Sequence, residues 1–514
     1  MEKPATAVVI GSGFGGLAAA VRLAARGVKV TVCERLDAPG GRAYVYRQDG
    51  YTFDAGPTIV TAPFLLEELW ELCGKRLSDD IDLRELNPYY TIRFDDGSHF
   101  DYSGDHEAMK REVAKFNPDD VNGYERFLEA SALLYRVGFD KLLHVSFGSF
   151  ARMLKVLPDL IRAQFYRSVH SLVASYIKHP KLRRVFSFHP LLVGGNPFST
   201  TAVYALIAQL ERKHGVHFAM GGTGALINGL VGLIESQGGT IRYNASVSQI
   251  VVEGTRAVGV KLESGEQLDA DIVVSNADSA TTYKHLLADF PRRRWTDRKL
   301  ERARYSMSLF VWYFGTDRRY DDVPHHMMLL GERYEALLTD IFKRKHLAED
   351  FSLYLHRPTA TDTSLAPEGC DAFYVLSPVP HLDSGDDWNQ IADQYRQKVQ
   401  EALQDTVLPE LEQHIAASHM LTPLDFRERL FSVKGAAFGL EPVLTQTAWF
   451  RPHNQSEEVD GLYIVGAGTH PGAGLPGVIS SAKVLDDVIP GLSGQSQPSP
   501  AQCSPQQVDP TGLS

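Results

Sequence analysis

The stretch Gly11-Ser12-Gly13-Phe14-Gly15-Gly16 decides how this chain folds. An apolar run at residues 5–10 precedes it and predicts a buried strand, while an Ala- and Leu-rich run at residues 15–26 predicts a helix. A second apolar run at residues 28–33 completes a strand–helix–strand unit. Glycines at the turn of such a unit indicate a binding site for a dinucleotide.

Each residue of this turn has a physical role. Gly11 permits a tight turn, Gly13 lets the backbone approach a pyrophosphate, and Gly16 allows the helix to pack closely on the strand. Phe14 and Gly15 open the helix, whose amino terminus offers N–H donors and a favourable dipole to a phosphate. We therefore expect these residues to bind the cofactor.

Beyond the turn, Glu34 ends the second predicted strand. We expect its carboxylate to accept hydrogen bonds from ribose hydroxyls, and because it would repel a 2′-phosphate, FAD and NAD are favoured over NADP. Arg35 and the turn Gly40-Gly41-Arg42 follow. Together with Glu34 they resemble the extended fingerprint of the FAD-dependent amine oxidase superfamily. The resemblance implies FAD as the cofactor, with unhindered backbone and a fixed cation close to its pyrophosphate.

Two further stretches carry this resemblance. Residues 51–58 are similar to a family segment that passes beside the flavin, and residues 466–478 resemble the carboxy-terminal signature of bacterial-type phytoene desaturases, the carotenoid desaturase branch of the superfamily. Closely spaced glycines permit backbone packing around an isoalloxazine ring. The residues expected at the cofactor in these stretches are Gly56, Pro57, Thr58, Gly466, Gly468, Gly477 and Val478.

Three other positions have open interpretations. Val247 resembles a family strand that meets adenine, but by periodicity it is equally a core residue. Asn276 matches a strand end near the cofactor, although polar residues are common after strands. Asp54 either caps a local turn or contacts the cofactor. We expect Val247 and Asn276 to bind the cofactor and assign no catalytic residue.

The fold class predicted is α/β, with a discontinuous Rossmann-like FAD-binding domain and a mixed α+β substrate domain that has a helical, membrane-associating region. Local patterns predict a hairpin at residues 89–94 and 99–102, a helix at 221–236, four strands at 240–275, a strand at 462–465 and a helix at 478–488. The predicted FAD-binding parts are residues 1–86, 219–285 and 456–490, the substrate parts are 87–218 and 286–455, and a disordered tail spans 491–514.

Composition narrows the class of protein. A net charge of -11 argues against nucleic-acid binding, and four cysteines without a CxxC pair indicate neither a disulfide framework nor a zinc site. We expect no metal, because the histidines are scattered apart from the adjacent His325 and His326. The cysteine usage fits a reducing, cytoplasmic compartment. The apolar run at residues 7–10 is too short for a signal peptide, and the sequence lacks a membrane-spanning run, so we expect any membrane contact to be peripheral.

A local excess of positive charge lies between Ala132 and Arg184, where ten basic and two acidic residues occur. Within it, Phe150, Leu154, Leu157, Ile161 and Phe165 fall on one helical face, with Arg152, Lys155 and Arg162 on another. This pattern predicts a helix lying on an anionic membrane surface, which Pro158 kinks or interrupts. A solvated basic helix packed on the domain is the alternative.

The resemblance implies desaturation of phytoene by successive dehydrogenations toward lycopene. A hydrophobic isoprenoid is then the substrate, a quinone or oxygen the electron acceptor, and the cytoplasmic membrane a peripheral partner, with oligomers allowed. The alternatives are a carotenoid isomerase or ketolase, a diapophytoene desaturase, an amine oxidase, or a non-enzymatic lipid-binding protein of the GDP-dissociation-inhibitor type.

Overall fold

The structure, a computed structural model, describes residues 5–148 and 150–490, without the side chains of residues 150–153 and 155. The predicted tail at residues 491–514 lies outside the described residues. The strands are β1 Thr6–Ile10, β2 Lys29–Cys33, β3 Val45–Gln48, β4 Tyr51–Asp54, β5 Leu83–Glu85, β6 Tyr90–Phe94, β7 His99–Tyr102, β8 His217–Ala219, β9 Thr240–Arg242, β10 Val247–Glu253, β11 Arg256–Leu262, β12 Gln267–Asp269, β13 Ile272–Ser275, β14 Ser308–Thr316, β15 His326–Leu330, β16 Leu353–His356, β17 Asp371–Val379, β18 Ile415–Leu421 and β19 Leu462–Ile464.

The helices connect these strands. The α-helices are α1 Phe14–Ala24, α2 Phe64–Leu72, α3 Leu77–Asp80, α4 His106–Phe116, α5 Val121–Tyr135, α6 Phe150–Arg162, α7 Val169–Ala174, α8 Pro180–Ser187, α9 Leu206–His214, α10 Thr223–Ser236, α11 Ser279–Thr281, α12 Asp297–Arg302, α13 Tyr334–Thr339, α14 Trp388–Thr406, α15 Leu411–His414, α16 Pro423–Glu428, α17 Leu475–Lys483 and α18 Leu485–Val488. Short 3-10 helices span Gly41–Ala43, Pro118–Asp120, His189–Val193, Ala202–Ala205, Pro358–Ala360, Thr363–Leu365, Leu382–Ser384, Val433–Gly435, Leu444–Gln446 and Ala448–Phe450, and π-helical turns span Arg136–Asp140, Thr282–Leu286 and Asp340–Arg344.

A five-stranded parallel sheet joins three distant parts of the sequence. Its strand order is β19-β13-β1-β2-β9. In the centre, Ala7 pairs with Val30 on one side and with Ile272 on the other, and Val273 then pairs with Leu462. The strands are rich in valine and isoleucine because both faces of a parallel sheet are covered. This is the discontinuous α/β arrangement that the glycine-rich stretches predicted, while the ends of the predicted domains stay predictions.

Each face of the parallel sheet has its own core. On one face, Leu17 of α1, Leu226 of α10 and Ile479 of α17 belong to the same buried apolar cluster. On the other face, Val8 packs in a cluster with Ile250 of the antiparallel sheet β10-β11-β12. The three helices and the small sheet therefore hold the carboxyl ends of β1, β2, β13 and β19 side by side.

A seven-stranded mixed sheet organises the second half of the molecule. Its order is β18-β14-β17-β16-β15-β6-β7, with β15 and β6 parallel and the other neighbours antiparallel. The β6–β7 pair is the hairpin that the sequence predicted. One face packs with the helical region in a cluster that includes Ile92, Phe186 and Tyr313, and the other packs against Trp388 of α14.

Local predictions differ from the structure at short elements. Five strands, not four, form between residues 240 and 275, because β9 and β12 have three residues each and show no readable alternation. The helix predicted at residues 478–488 is divided into α17 and α18. The first helix ends at Ala24 because Gly27, with φ +79°, adopts a left-handed conformation that ends the turn.

Helix α6 carries the predicted amphipathic segment. It continues through Pro158 without interruption. Leu154 and Ile161 of the predicted apolar face are each 52% exposed, whereas Leu160 is buried. Part of the apolar surface of α6 therefore faces solvent rather than the domain. Among the residues that the structure describes, no helix has the length and apolar character needed to cross a bilayer.

Candidate functional site

A large cavity lies between the two sheets and is bounded by segments from almost the whole chain. It contains about 590 Å³ that the centre of a water molecule can reach. One end is lined by the glycine-rich stretches that follow β1 and β19, and the other end is lined by apolar side chains. The cavity therefore has two chemically distinct halves, which we call the glycine cradle and the apolar chamber.

The first glycine-rich turn of the cradle is held by its backbone. Gly11 N–H donates to the carbonyl oxygen of Cys33 at 2.8 Å, and Gly40 N–H donates to that of Ser12 at 3.0 Å. Gly11 has φ +89° and Gly40 has φ +119°, conformations that favour glycine. Helix α1 begins directly afterwards at Phe14, so its free N–H groups point toward the cradle.

Asn276, at the end of β13, is the point where the three stretches meet. A Cβ atom added at Gly13 would lie 2.9 Å from its Nδ2 atom. Cβ atoms added at Gly15 or Gly466 would each lie 2.6 Å from its Oδ1 atom. Glycine is required at these three positions because the Asn276 amide and the neighbouring backbones occupy the space a side chain would need.

Glu34 lies in the cradle wall as predicted from the sequence. One carboxylate oxygen accepts hydrogen bonds from the N–H and the hydroxyl of Ser12 at 2.9 and 2.6 Å, and the other accepts from Leu36 N–H at 2.8 Å. The residue is buried but lines the cavity. These bonds fix the carboxylate and leave it acceptor capacity toward the cavity, which suits a ribose hydroxyl.

Arg42 and Asp278 form a charged pair of residues in the cradle wall. Arg42 donates from Nε to the carbonyl oxygen of Ala437 at 2.6 Å and from Nη2 to the hydroxyl of Ser432 at 2.9 Å. Burial lowers the pKa of Arg42, and the charge of Asp278 opposes that effect. Burial likewise raises the pKa of Asp278, opposed chiefly by Arg42. The guanidinium is thus a fixed cation at the cavity, as a phosphate site needs.

Arg35 lines the cavity but is also a bridge between segments. Its Nη1 atom donates to the carbonyl oxygens of Glu428 and Arg429 at 2.7 and 2.6 Å. Its guanidinium lies 3.7 Å from the ring centroid of Phe431. These contacts use much of its donor capacity, so Arg35 shapes this end of the cavity as well as facing it.

The segment after β4 closes the cradle toward the apolar chamber. Gly56, Pro57 and Thr58 all line the cavity. A Cβ atom at Gly56 would lie 2.7 Å from the carbonyl oxygen of Arg42, which shows how closely the two backbones approach. Asp54 lies just before them and accepts hydrogen bonds from the N–H groups of Thr223 and Gly224 at 2.9 and 3.4 Å. These contacts support a capping role for Asp54 rather than contact with the cofactor. The element that it caps is α10, which is distant in sequence, and not a local turn.

Asp54 gives a pH-dependent prediction. Burial raises its pKa from 3.8 to about 6, opposed by the N–H donors of α10. A raised carboxyl pKa means that the ionised form costs stability, so the wild type should lose stability as pH rises from about 4 to 6. Asp54→Asn cannot ionise, and we expect it to gain about 2–3 kcal/mol relative to wild type across this range. Urea denaturation at pH 4 and pH 7 measures the difference, and a constant offset at both pH values would contradict it.

The third glycine-rich stretch follows β19. Gly466 has φ +91°, and its N–H donates to the hydroxyl of Ser481 at 2.8 Å. Helix α17 begins at Leu475, three residues before the start that the sequence predicted. Gly477 and Val478 line the cavity, and the first turn of α17 therefore presents its free N–H groups there.

Most of the residues that the sequence predicted at the cofactor line this one cavity. Two do not: Gly16 packs against the carbonyl oxygen of Gly11, and Gly468 packs against the backbone and side chain of Ser279. Those in the wall are Gly11, Gly13, Phe14, Gly15, Glu34, Arg35, Gly40, Gly41, Arg42, Gly56, Pro57, Thr58, Val247, Asn276, Gly466, Gly477 and Val478. Direct contact of each with a cofactor stays a prediction.

The apolar chamber is built from both halves of the chain. The seven-stranded sheet forms one wall and the helical region of residues 106–214 forms another. Among the lining residues are Leu142, Leu160, Phe188, Leu206, Leu309, Val311, Met328, Leu330 and Leu376. Leu444 and Phe450 line the cavity and are also 38% and 45% exposed, so the chamber reaches the protein surface beside them.

Several polar residues of the cavity wall were not predicted. They come from segments with no recognisable motif, and the tertiary fold rather than sequence proximity brings them there. They are Tyr204, Glu211, Ser246, Thr281, Tyr354, Tyr374 and Arg429. Periodicity alone makes such residues look like ordinary core or surface positions.

A cluster of three buried histidines was also missed. His325 and His326 are adjacent in sequence, but His356 joins them only because β15 and β16 pair with His326 opposite His356. One ring nitrogen of each lies within 4.8 Å of one ring nitrogen of the others. Three histidines at this spacing are able to bind a metal or to exchange protons.

The cradle fits a flavin dinucleotide by its own geometry. Glycines stand where any Cβ would collide with neighbouring segments, two helix amino termini face the cavity, and a carboxylate and a guanidinium flank it. Helix termini and a fixed cation suit the pyrophosphate, and the Glu34 carboxylate suits a ribose. The adjoining apolar chamber leaves space for a substrate without polar groups.

Comparisons with known proteins agree with this geometry. The sequence profile of the family described as flavin containing amine oxidoreductase matches residues 14–484. A phytoene desaturase (neurosporene-forming) of Cereibacter sphaeroides is 49% identical over 94% of both chains. A phytoene desaturase (lycopene-forming) of Pantoea ananas is 48% identical over 95% of this chain and 100% of its own. Among solved structures, a wild-type putrescine oxidase bound to putrescine shares the fold, with a TM-score of 0.63 and 13% identity over 95% of this chain and 99% of its own.

Proposed function

The chain belongs to the family of flavin containing amine oxidoreductases, and from this premise we propose that it is an FAD-dependent phytoene desaturase of carotenoid biosynthesis. The observation that carries the proposal is the single cavity in which a glycine cradle opens into an apolar chamber. Near 50% identity over almost the full length of desaturases supports the same activity. A desaturase needs both halves of the cavity, because the cofactor must reach a C–H bond of a hydrocarbon.

FAD is the cofactor of this enzyme. When bound, FAD accepts hydride from a C–H bond and so supplies the redox chemistry. We propose that the turn at Gly11 and the amino terminus of α1 hold its pyrophosphate, with Arg42 as the counter-charge. Glu34 then binds the ribose, and the amino terminus of α17 faces the isoalloxazine.

The apolar chamber orients the substrate and excludes water. A hydrocarbon has no group for a hydrogen bond, so only shape and apolar contact can place its reacting carbons. Leu309, Val311 and Leu376 on the seven-stranded sheet line the chamber, as does Leu206 of α9. Their packing on an extended chain would allow the substrate to slide, so that successive dehydrogenations occur at one cofactor.

The substrate class follows from the comparisons. Five phytoene desaturases are 47–49% identical to this chain, whereas a zeta-carotene-forming phytoene desaturase of Myxococcus xanthus is 36% identical and a 4,4'-diapophytoene desaturase of Methylomonas is 34% identical. We therefore propose phytoene as the substrate, converted by successive dehydrogenations toward lycopene. This substrate is a hydrophobic isoprenoid, which matches the lining of the chamber.

Expression in cells that accumulate phytoene tests this function. Extracts should contain coloured carotenoids whose absorption bands report the number of conjugated double bonds, with lycopene as the end product. Cells carrying the vector alone provide the control. Extracts that retain all of their colourless phytoene, although the purified protein carries FAD, would overturn the proposal. Isomerised or oxygenated products would instead identify the isomerase or ketolase alternative.

We propose that the enzyme docks peripherally on the cytoplasmic membrane to obtain its substrate. Leu154, Ile161 and Tyr166 are 52–62% exposed, and they flank Leu160 and Phe165, which line the chamber. The exposed side chains thus lie next to a wall of the chamber that receives the hydrocarbon. Basic residues of the same region complement an anionic lipid surface. A lipid surface is the occupant that supplies both an apolar contact and the substrate.

Vesicle flotation measures this docking. We expect Leu154→Asp with Ile161→Asp to lower binding to vesicles of phosphatidylglycerol by about tenfold or more, because each buried leucine-sized side chain contributes about 1.5–3 kcal/mol. Tyr243→Asp changes an exposed aromatic residue at a different part of the surface and serves as the control. Equal flotation of the double variant and the wild type would contradict peripheral docking through α6.

We propose that a quinone or oxygen reoxidises the reduced flavin and so completes the catalytic cycle. Either acceptor is apolar enough to enter a chamber lined by side chains such as Phe165 and Phe450. Reduced enzyme mixed with oxygen or with a short-chain quinone should recover its flavin absorption, and the faster acceptor identifies the route.

A further inference from the structure

A row of hydroxyl and imidazole groups crosses three neighbouring strands beside the cavity. In the sheet register, His326 of β15 lies opposite His356 of β16, and His356 lies opposite Tyr374 of β17. Tyr354 precedes His356 by two positions and therefore projects from the same face. Strand pairing thus gathers four groups that can carry protons, although they are spread over 49 positions of sequence.

Hydrogen bonds connect this row to the cavity wall. The hydroxyl of Thr58 lies 2.7 Å from that of Tyr374 and 3.4 Å from that of Tyr354. The Tyr354 hydroxyl lies 2.8 Å from Nδ1 of His326, which lies 3.2 Å from Nδ1 of His356. The 2.7 and 2.8 Å contacts have ordinary hydrogen-bond lengths, and the 3.2 and 3.4 Å contacts are long. The chain is therefore continuous from Thr58 to the buried imidazoles.

The row begins where the two halves of the cavity meet. Thr58, Tyr354 and Tyr374 line the cavity, whereas His326 and His356 are 1% and 0% exposed and lie behind them. Thr58 is two residues from Gly56, whose backbone touches that of Arg42 in the cradle. The hydroxyl groups thus stand at the boundary between the cofactor site and the apolar chamber, where the reacting carbons must lie.

The buried imidazoles have unused capacity for protons. The Nε2 atoms of His325, His326 and His356 are buried and have no hydrogen-bond partner. Burial also lowers the pKa of His326 and His356 well below the ordinary value, so both rings are neutral before the reaction. In a neutral imidazole one of the two ring nitrogens carries no hydrogen and can accept a proton. Such an incompletely bonded polar cluster costs stability, which points to a function for it.

We propose that Tyr354 accepts the proton lost by the substrate and passes its own proton to His326. This proposal rests on the desaturase function above. One substrate C–H bond breaks and its hydrogen leaves with the electron pair, as hydride, to the flavin. The neighbouring C–H bond breaks as well, and its electron pair becomes the second bond of the new C=C. The released proton forms an O–H bond at Tyr354 while the former hydroxyl proton forms an N–H bond at Nδ1 of His326.

His356 and Thr58 assist this transfer as positioning residues. His356, whose Nδ1 lies 3.2 Å from Nδ1 of His326, holds the His326 ring in place. Thr58 holds the two tyrosine hydroxyls at the cavity boundary. A weak base is sufficient, because loss of hydride leaves an allylic cation whose neighbouring proton is strongly acidic. The stored proton leaves the row when the quinone or oxygen acceptor is reduced and takes up a hydride and a proton.

Stopped-flow reduction of the enzyme-bound FAD by phytoene, without oxygen, tests the proposal. We expect Tyr354→Phe to slow flavin reduction by about 10²-fold, with unchanged flavin content. We expect His326→Gln to slow it less, by about tenfold, because Tyr354 can still reach Thr58. Tyr320→Phe removes another buried hydroxyl, bonded to the Pro409 carbonyl at 3.2 Å and outside the cavity wall, and should react like the wild type.

A solvent isotope effect separates proton transfer from a structural role. The Tyr354 hydroxyl proton exchanges with solvent, so the wild type should reduce its flavin more slowly in D₂O, and Tyr354→Phe should lose this difference. Wild-type rates in both tyrosine and histidine variants, or an isotope effect that persists in Tyr354→Phe, would overturn the relay. A stoichiometric metal bound by the three histidines would do so as well, and elemental analysis of the purified holoenzyme detects it. Failure of phytoene to reduce even the wild-type flavin would reject the desaturase function itself.

Discussion

Replacing Gly15 by alanine is expected to lower the affinity for FAD by about 5- to 150-fold, the equivalent of an overpacking cost of about 1–3 kcal/mol. A Cβ atom there would lie 2.6 Å from Oδ1 of Asn276 and 2.9 Å from both the nitrogen and the Cα of Gly466. Backbone cannot move aside as a flexible side chain can, so the stretches after β1, β13 and β19 must separate. The dissociation constant follows from the change in flavin fluorescence when apoprotein is titrated with FAD.

Gly232→Ala provides the matched control. Gly232 lies inside α10, and an added Cβ would meet no atom within 4 Å. Alanine should therefore leave FAD binding unchanged and stabilise the protein by about 0.5–1 kcal/mol, as expected for glycine in a helix interior. Equal FAD affinity of the Gly15 and Gly232 variants would show that the three stretches do not form one tightly packed cradle.

Arg357→Leu should destabilise the protein by about 3–5 kcal/mol, because it leaves a buried carboxylate without its counter-charge. The Arg357 guanidinium donates from Nε to Asp371 at 2.9 Å, from Nη1 to the Val323 carbonyl at 2.8 Å and from Nη2 to Asp321 at 2.9 Å. The side chains of Arg357 and Asp371 are 2% and 0% exposed. Asp371 also accepts hydrogen bonds from Tyr320 N–H and Thr359, which hold the carboxylate in place. Guanidinium chloride denaturation measures the loss.

Two further variants test whether the unpaired buried charge causes the loss of stability in Arg357→Leu. Arg319→Leu breaks a pair with Asp321 that is 35% and 72% exposed, and we expect it to cost less than about 1 kcal/mol. Adding Asp371→Asn to Arg357→Leu removes the buried charge and should restore part of the stability. If the double variant is no more stable than Arg357→Leu, lost packing rather than unpaired charge explains the effect.

The sequence predicted which glycine-rich stretches line the cavity because these residues act locally. The strand–turn–helix at Gly11 and the turn before α17 need glycine for reasons that are visible in a short window. The predicted family also agrees with the profile match over residues 14–484. What the sequence could not show is the packing between stretches, such as Asn276 filling the space beside Gly15 and Gly466.

The proton-carrying row was beyond sequence reasoning for a physical reason. Tyr354, His356 and Tyr374 lie in apolar strands and have no characteristic spacing, so they resemble core residues. Their common site depends on the register of β15, β16 and β17, and a shift by one residue would turn them to the opposite face. The strands β9 and β12 could not be separated from their neighbours by sequence pattern for a related reason. Each has three residues, which is too few to show the alternation of apolar and polar side chains.

The order of strands in the parallel sheet also governs when the enzyme can acquire its flavin. Because β19 and Gly466 complete the cradle, a polypeptide still attached to the ribosome lacks a complete flavin-binding site until β19 and the residues after it have been synthesised. Flavin binding therefore requires synthesis through α17, and products that terminate before Gly466 should be colourless. Cells short of riboflavin should accumulate full-length, unloaded protein rather than truncated fragments.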